Sequence, residues 1–156
     1  MKNIKALCIT LLVLVSGCTM NKAPQLTPLQ IQSLQTRDFS STKNIVFPSV
    51  ISVFQDLGYT IKNADKDTGI IMAESAAKSD STSRFFGVTS VSQTAATAFV
   101  EEIGKITKVR LNFVTVNNIS YGYGQTDRED TPILEAATYQ NAFERIENAI
   151  FVRRAS

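Results

Sequence analysis

Histidine is absent from the chain, and only two cysteines occur in it, Cys8 and Cys18. The first absence removes both the commonest general base and the commonest metal ligand. Both thiols lie within the first 18 residues, so residues 19–156 carry no disulfide and no thiolate chemistry. Charge of one sign is also missing. Lys2 and Lys5 stand at the start, and the other 14 basic residues balance 14 acidic ones. Only Arg153 and Arg154 are adjacent basic residues, so no basic stripe exists and no nucleic-acid partner is expected. No self-similar repeat runs through the sequence. No metal, no cofactor and no catalytic residue is expected, and the chain reads as a non-enzyme.

The first twenty residues are the most informative. Behind Lys2 and Lys5, the stretch Ala6 to Val15 is apolar apart from Cys8 and Thr10. A membrane-spanning helix needs about 20 apolar residues, and this run is too short. A positive front, a short apolar core and small residues behind it are the layout of an export signal. Val15-Ser16-Gly17-Cys18 then resembles the bacterial lipoprotein box. The resemblance implies cleavage between Gly17 and Cys18, a thioether-linked diacylglycerol on Cys18 and acylation of the new N-terminus. Acyl chains bury methylene groups at about 0.8 kcal/mol each, and more than one chain makes the anchor stable. Thr19 stands where an Asp commonly retains a lipoprotein in the inner membrane. The resemblance therefore implies an outer-membrane anchor with the domain facing the periplasm.

Residues 1–17 are thus expected to be a signal peptide, 18–36 a lipidated tether, and 37–156 a single domain large enough for a core. The tether holds Gln25, Gln30, Gln32 and Gln35, and its Pro24 and Pro28 oppose early helix formation. Leu29 to Leu34 reads either as solvated linker or as a short helical turn on a partner.

The folded part opens with a helix. Ser40, Ser41 or Thr42 supplies its cap, and Phe47, Val50 or Ile51, Phe54 and Leu57 recur at helical spacing. Pro48 places the regular helix start just before it, and Gly58 marks the stop. A hairpin follows, with Tyr59 and Ile61 in one strand, Ile70 to Ser75 in the other and the turn-forming NADKDTG between them. Residues 76–93 read as a Ser/Thr-rich loop. Phe85 and Phe86 inside it have two readings, an exposed contact for a partner or membrane, or a plug at the core edge.

A second hairpin is expected around Gly104. Thr107, Val109, Leu111 and Phe113 share one face, and Lys108, Arg110 and Asn112 the other. Glu101 and Glu102 point to opposite faces of a strand, which suits cross-strand pairing with Lys108 or Arg110 better than acid–base chemistry. YGYGQTDREDTP reads as a loop. Its glycines are not followed by a helix start as a phosphate cradle requires, and Asp127, Glu129 and Asp130 lack the spacing of a calcium loop. The last element is a helix with Tyr139, Ala142, Phe143, Ile146 and Ile150 on one side.

Helix, hairpin, hairpin, helix is satisfied by an α+β two-layer sandwich, a four-stranded antiparallel sheet with two helices on one face. TRDFSSTKNIVFPSVISVFQDLGYTIKNADKDTGIIMAES and TYQNAFERIENAIFVRRA resemble the opening and closing segments of helix-grip domains in bacterial envelope lipoproteins. The lipoprotein C subunit of the outer-membrane β-barrel assembly machinery is of this kind. The resemblance covers residues 36–76 and 105–154 and implies a structural or accessory role beside an envelope protein partner. The alternative is a module that binds a lipid or peptidoglycan fragment in a groove between the long helix and the sheet, with Tyr59, Phe113, Tyr139 and Phe143 as walls.

Overall fold

The computed structural model describes residues 26–80 and 87–155. In chain order the elements are α1 (Pro28–Gln35), β1 (Thr36–Phe39), α2 (Lys43–Asp56), β2 (Tyr59–Asp65), β3 (Ile70–Ser75), β4 (Lys78–Asp80), β5 (Val88–Ile103), β6 (Ile106–Tyr121), β7 (Thr126–Pro132) and α3 (Ala136–Ala155). The fold is α+β. Its sheet has seven strands rather than the four expected, in the order β1-β6-β5-β3-β2, with β4 added to β5 and β7 to β6. Every pairing among the described residues is antiparallel.

The extra strands come from the stretch ahead of the first long helix and from segments that read as loop. Thr36–Phe39 pairs with β6, and TDREDTP, expected as loop, pairs with β6 from Val114 to Ser120. All seven residues of β7 are exposed, so no apolar alternation could mark it in the sequence. The Ser/Thr-rich stretch before Thr94 likewise runs as strand from Val88 onward and carries β4 against it.

The β5–β6 hairpin is the axis of the molecule. Its two strands have 16 residues each and pair without a register shift from Val88↔Tyr121 to Ile103↔Ile106. Gly104 and Lys105 close it, and Gly104 has φ 65°, the glycine position of a type II′ turn whose twist matches the strands. The core-facing residues of this hairpin are Ala96, Ala98, Val100, Val109, Leu111 and Phe113, all buried. Across the sheet they continue into Ile71 and Ala73 of β3. The two alanines in the central strand leave room for bulk from the helices, whose Val46, Val50, Phe54, Tyr139, Phe143 and Ile146 belong to the same core cluster.

Helix α2 starts at Lys43, so Pro48 sits in its second turn rather than at its start. The Pro48 carbonyl accepts hydrogen bonds from Ser52 Oγ at 3.1 Å and from the Arg153 guanidinium at 3.4 Å, tying the end of α3 to α2. Thr42 makes no side-chain cap. Instead the Lys43 amide donates to a Glu102 carboxylate oxygen at 2.9 Å, placing an anion at the positive end of the helix.

The β2–β3 turn is held at two points. The Asp65 carboxylate accepts from the Asp67 amide at 2.9 Å, and the Gly69 carbonyl accepts from the Val100 amide at 2.8 Å. Hydrogen bonds from Thr68 and then Asp67 hold the Asp65 carboxyl below its ordinary range. Gly69 has φ 80°, and a Cβ there would run into the Val100 carbonyl oxygen. Gly69→Ala is therefore expected to destabilise the protein by about 2 kcal/mol or more, read as a lower denaturant midpoint. Because the folded-state pKa of Asp65 is depressed, its stabilising effect is present above the ordinary carboxylate range and is lost as pH falls through the folded value. Amide shifts of Asp67 and Thr68 should report that titration, and Asp65→Asn should abolish it.

Candidate interaction surface and crevice

Leu29 to Leu34, inside the expected tether of residues 18–36, reads as solvated linker or a short turn on a partner. The structure places it in a helix of this domain that runs Pro28–Gln35. Pro28 occupies its first turn, where a missing N–H is harmless. Thr27 is the cap: its Oγ accepts from the Gln30 amide at 3.3 Å, and the Gln30 side chain accepts from the Thr27 amide at 2.8 Å. T-P-L-Q is thus a capping box in the sequence, with the proline favouring the helix start.

The last residue of α1, Gln35, is 5% exposed and sits at a polar junction. Its Nε2 donates to Asn112 Oδ1 at 3.3 Å and to the Tyr139 hydroxyl at 3.5 Å, and its Oε1 accepts from the Arg110 guanidinium at 3.3 Å. Tyr139 in turn donates to the Ile133 carbonyl at 2.8 Å. One amide side chain therefore fixes α1 to β6, to α3 and, through Tyr139, to the segment leaving β7.

A crevice lies on each side of α1. One, of about 420 Å³, runs past Leu34, Arg37, Leu134, Tyr139 and Phe143. The other, of about 580 Å³, lies between α1 and the sheet face opposite the core. Its floor is a row across three adjacent strands, Ile70, Phe99 and Arg110, paired in register. Thr97 and Asn112 form the next row, and Ile31, Gln35 and Leu134 complete the walls. That sheet face also exposes Met72 (46%) and Ile103 (46%) beside Ile70 (41%) and Phe99 (43%). Such a concentration of exposed apolar side chains on one strand group is the mark of an interaction surface.

Of the expected wall residues, Tyr139 and Phe143 line the crevice of about 420 Å³, while Tyr59, Phe113 and Tyr139 also stack on one another. Ring centroids are 6.1 Å apart for Tyr59–Phe113, 5.3 Å for Phe113–Tyr139 and 6.4 Å for Phe39–Phe143. Phe113, Tyr139 and Phe143 are buried, and burial pushes the Tyr59 hydroxyl above its ordinary pKa. The crevice of about 420 Å³ lies between α1 and the long helix α3, and the one of about 580 Å³ between α1 and the sheet.

Glu101 pairs with Lys108 and Glu102 with Thr107, so the two carboxylates take opposite faces. Asp127, Glu129 and Asp130 lie along β7, and Asp130 pairs with Arg128 at 2.9 Å. No three His, Cys, Asp or Glu side chains come together to hold a metal among the described residues. Gly17, Cys18, Phe85 and Phe86 lie outside the described residues. Sequence reasoning missed Gln35 and Ile31, whose signal was the capping box ahead of them, and Arg110, whose signal was its outward place on an alternating strand.

No protein-family model and no curated protein matches the chain. The class is defined by the fold itself: an α+β domain with one long antiparallel sheet, whose opposite face carries an apolar crevice bounded by an N-terminal helix.

Gln35→Leu is expected to leave Asn112 and Arg110 without this partner and to destabilise the docking of α1 by about 1–3 kcal/mol. Hydrogen exchange should rise across the α1 amides while Val109 and Leu111 stay protected. Unchanged exchange in α1 would contradict the role given to Gln35.

Proposed function

We propose that the chain is a lipid-anchored envelope lipoprotein, a non-enzymatic accessory of an outer-membrane assembly or secretion complex. The observation that carries this reading is Val15-Ser16-Gly17-Cys18 behind its apolar run, the resemblance to a lipoprotein box. Acyl chains on Cys18 hold the domain to the outer membrane on the periplasmic side, in keeping with Thr19 in place of Asp. Structural support comes from α1. Only residues 19–25 separate Cys18 from the described chain, a reach of at most ~28 Å. The sheet is thus carried close to the bilayer rather than on a long leash. The exposed Ile70, Met72, Phe99 and Ile103 supply a surface for an envelope protein partner. The lack of histidine supports a non-catalytic role.

The finer architecture is proposed with it: α2 and α3 on one face of the sheet, as in a helix-grip domain. Support is the single core cluster that joins the apolar residues of both helices with Ala96, Ala98 and Leu111. A second reading, binding of a lipid or peptidoglycan fragment in a groove between helix and sheet, is favoured by the crevice under α1.

Mass spectrometry of chain purified from membranes is expected to show residues 1–17 removed and Cys18 acylated, and Cys18→Ser should release the protein from the membrane fraction. Crosslinking in native cells, with recovery through the C-terminus, should return an envelope complex. An unmodified Cys18 sulfur overturns the anchor, and recovery of the protein alone with bound lipid favours the second reading.

A further inference from the structure

We infer that the crevice between α1 and the sheet is a binding site for a single-chain anionic amphiphile, a long-chain carboxylate whose head is held by Arg110 and whose chain lies along Phe99, Ile70, Ile31 and Leu134. This deepens the second reading above and rests on it. Three observations carry it.

The first is the floor of the crevice. Register places Ile70, Phe99 and Arg110 side by side on β3, β5 and β6, so one end of a single row is apolar and the other cationic. A ligand lying across the strands meets hydrocarbon first and then a guanidinium. The volume, about 580 Å³, falls in the range typical of small-molecule sites.

The second is the charge. Arg110 is the one formally charged residue lining this crevice. The ion pairs among the described residues are Lys62–Glu74 and Arg128–Asp130, and neither involves it. Its hydrogen bond goes to a neutral acceptor, Gln35 Oε1 at 3.3 Å. A guanidinium has five N–H donors in a planar fork, and a carboxylate matches that fork with two parallel hydrogen bonds. A neutral alcohol meets the apolar part alone, and a cationic amphiphile is repelled.

The third is preorganisation. Gln35 is itself pinned by Asn112 and Tyr139. The guanidinium is therefore tethered at the crevice wall before any ligand arrives, which lowers the ordering entropy lost on binding.

The test uses the full chain in its native membrane. A fatty acid carrying a photoactivatable diazirine in mid-chain is compared with the same chain ending in an alcohol, and labelled peptides are mapped by mass spectrometry. The expected result is labelling at Ile31, Ile70, Phe99 and Leu134, about tenfold stronger for the carboxylate, as a charge-assisted hydrogen-bonded pair warrants. Excess unlabelled dodecanoate should remove it more effectively than lysophosphatidic acid. Arg110→Gln, which keeps a polar partner for Gln35, should make the two probes label equally, whereas Arg128→Gln on β7 should behave as the native chain. If Arg110→Gln does not fold, the two-probe comparison on the native chain decides alone. Crevice labelling without a head-group preference overturns the anionic specificity and leaves the groove reading standing. Stronger competition by the phosphate amphiphile overturns the carboxylate. Labelling centred on exposed Leu29 or Phe151, with none in the crevice, overturns the groove reading as well.

Discussion

Unbroken pairing between β5 and β6 is the constraint on which the other elements depend. Over the whole of these strands the register never slips, so every core-facing residue at one end fixes the face of every residue at the other. One part of the hairpin, around Ala98 and Leu111, joins β3 and β1 and carries the core. The other part, toward Val88 and Tyr121, is flanked by β4 and β7. A one-residue shift would turn Val109, Leu111 and Phe113 away from the core and bring Arg110 and Asn112 into it. The same alternation that fills the core thus sets Arg110 and Phe99 on the opposite face.

The polar junction at Gln35 makes residues 28–35 part of the domain. Hydrogen bonds to groups on β6 and α3 are satisfied only when α1 lies against the sheet. With α1 docked, two crevices exist. The helix is a wall for each, through Leu34 on one side and Ile31 on the other.

Much of the architecture was legible in the residues because it was written in hydrophobic period. The helical stripe of Tyr139, Phe143, Ile146 and Ile150 and the alternation of Val109, Leu111 and Phe113 both lie where expected. The segments that escaped notice have no apolar pattern to read. β7 is polar and exposed on both faces, β4 is three residues long, and the first third of β5 is dominated by Ser and Thr. Their strand character comes from backbone pairing to β5 and β6, a tertiary effect that local composition does not encode. Helix α1 was obscured for a different reason: Pro28 was weighed as a breaker, whereas directly behind a Thr27 cap it is a starter. The crevice was legible only in its chemistry, as Arg110 on a wet strand face. Its volume depends on α1, which no pattern in the sheet strands announces.

The margins of the sheet bear on how anything else can approach it. β1 and β4 offer only four and three residues, β2 has a register break between Ile61 and Asn63 with Lys62 inside it, and β7 is lined with charge and ends in Pro132. These are the devices by which natural sheets refuse an incoming strand. Recognition by main-chain hydrogen bonding, the route taken by peptides that extend a sheet, is opposed along these margins. Along these margins side chains and contour do the reading, so selectivity there is a matter of shape and charge rather than of backbone repeat.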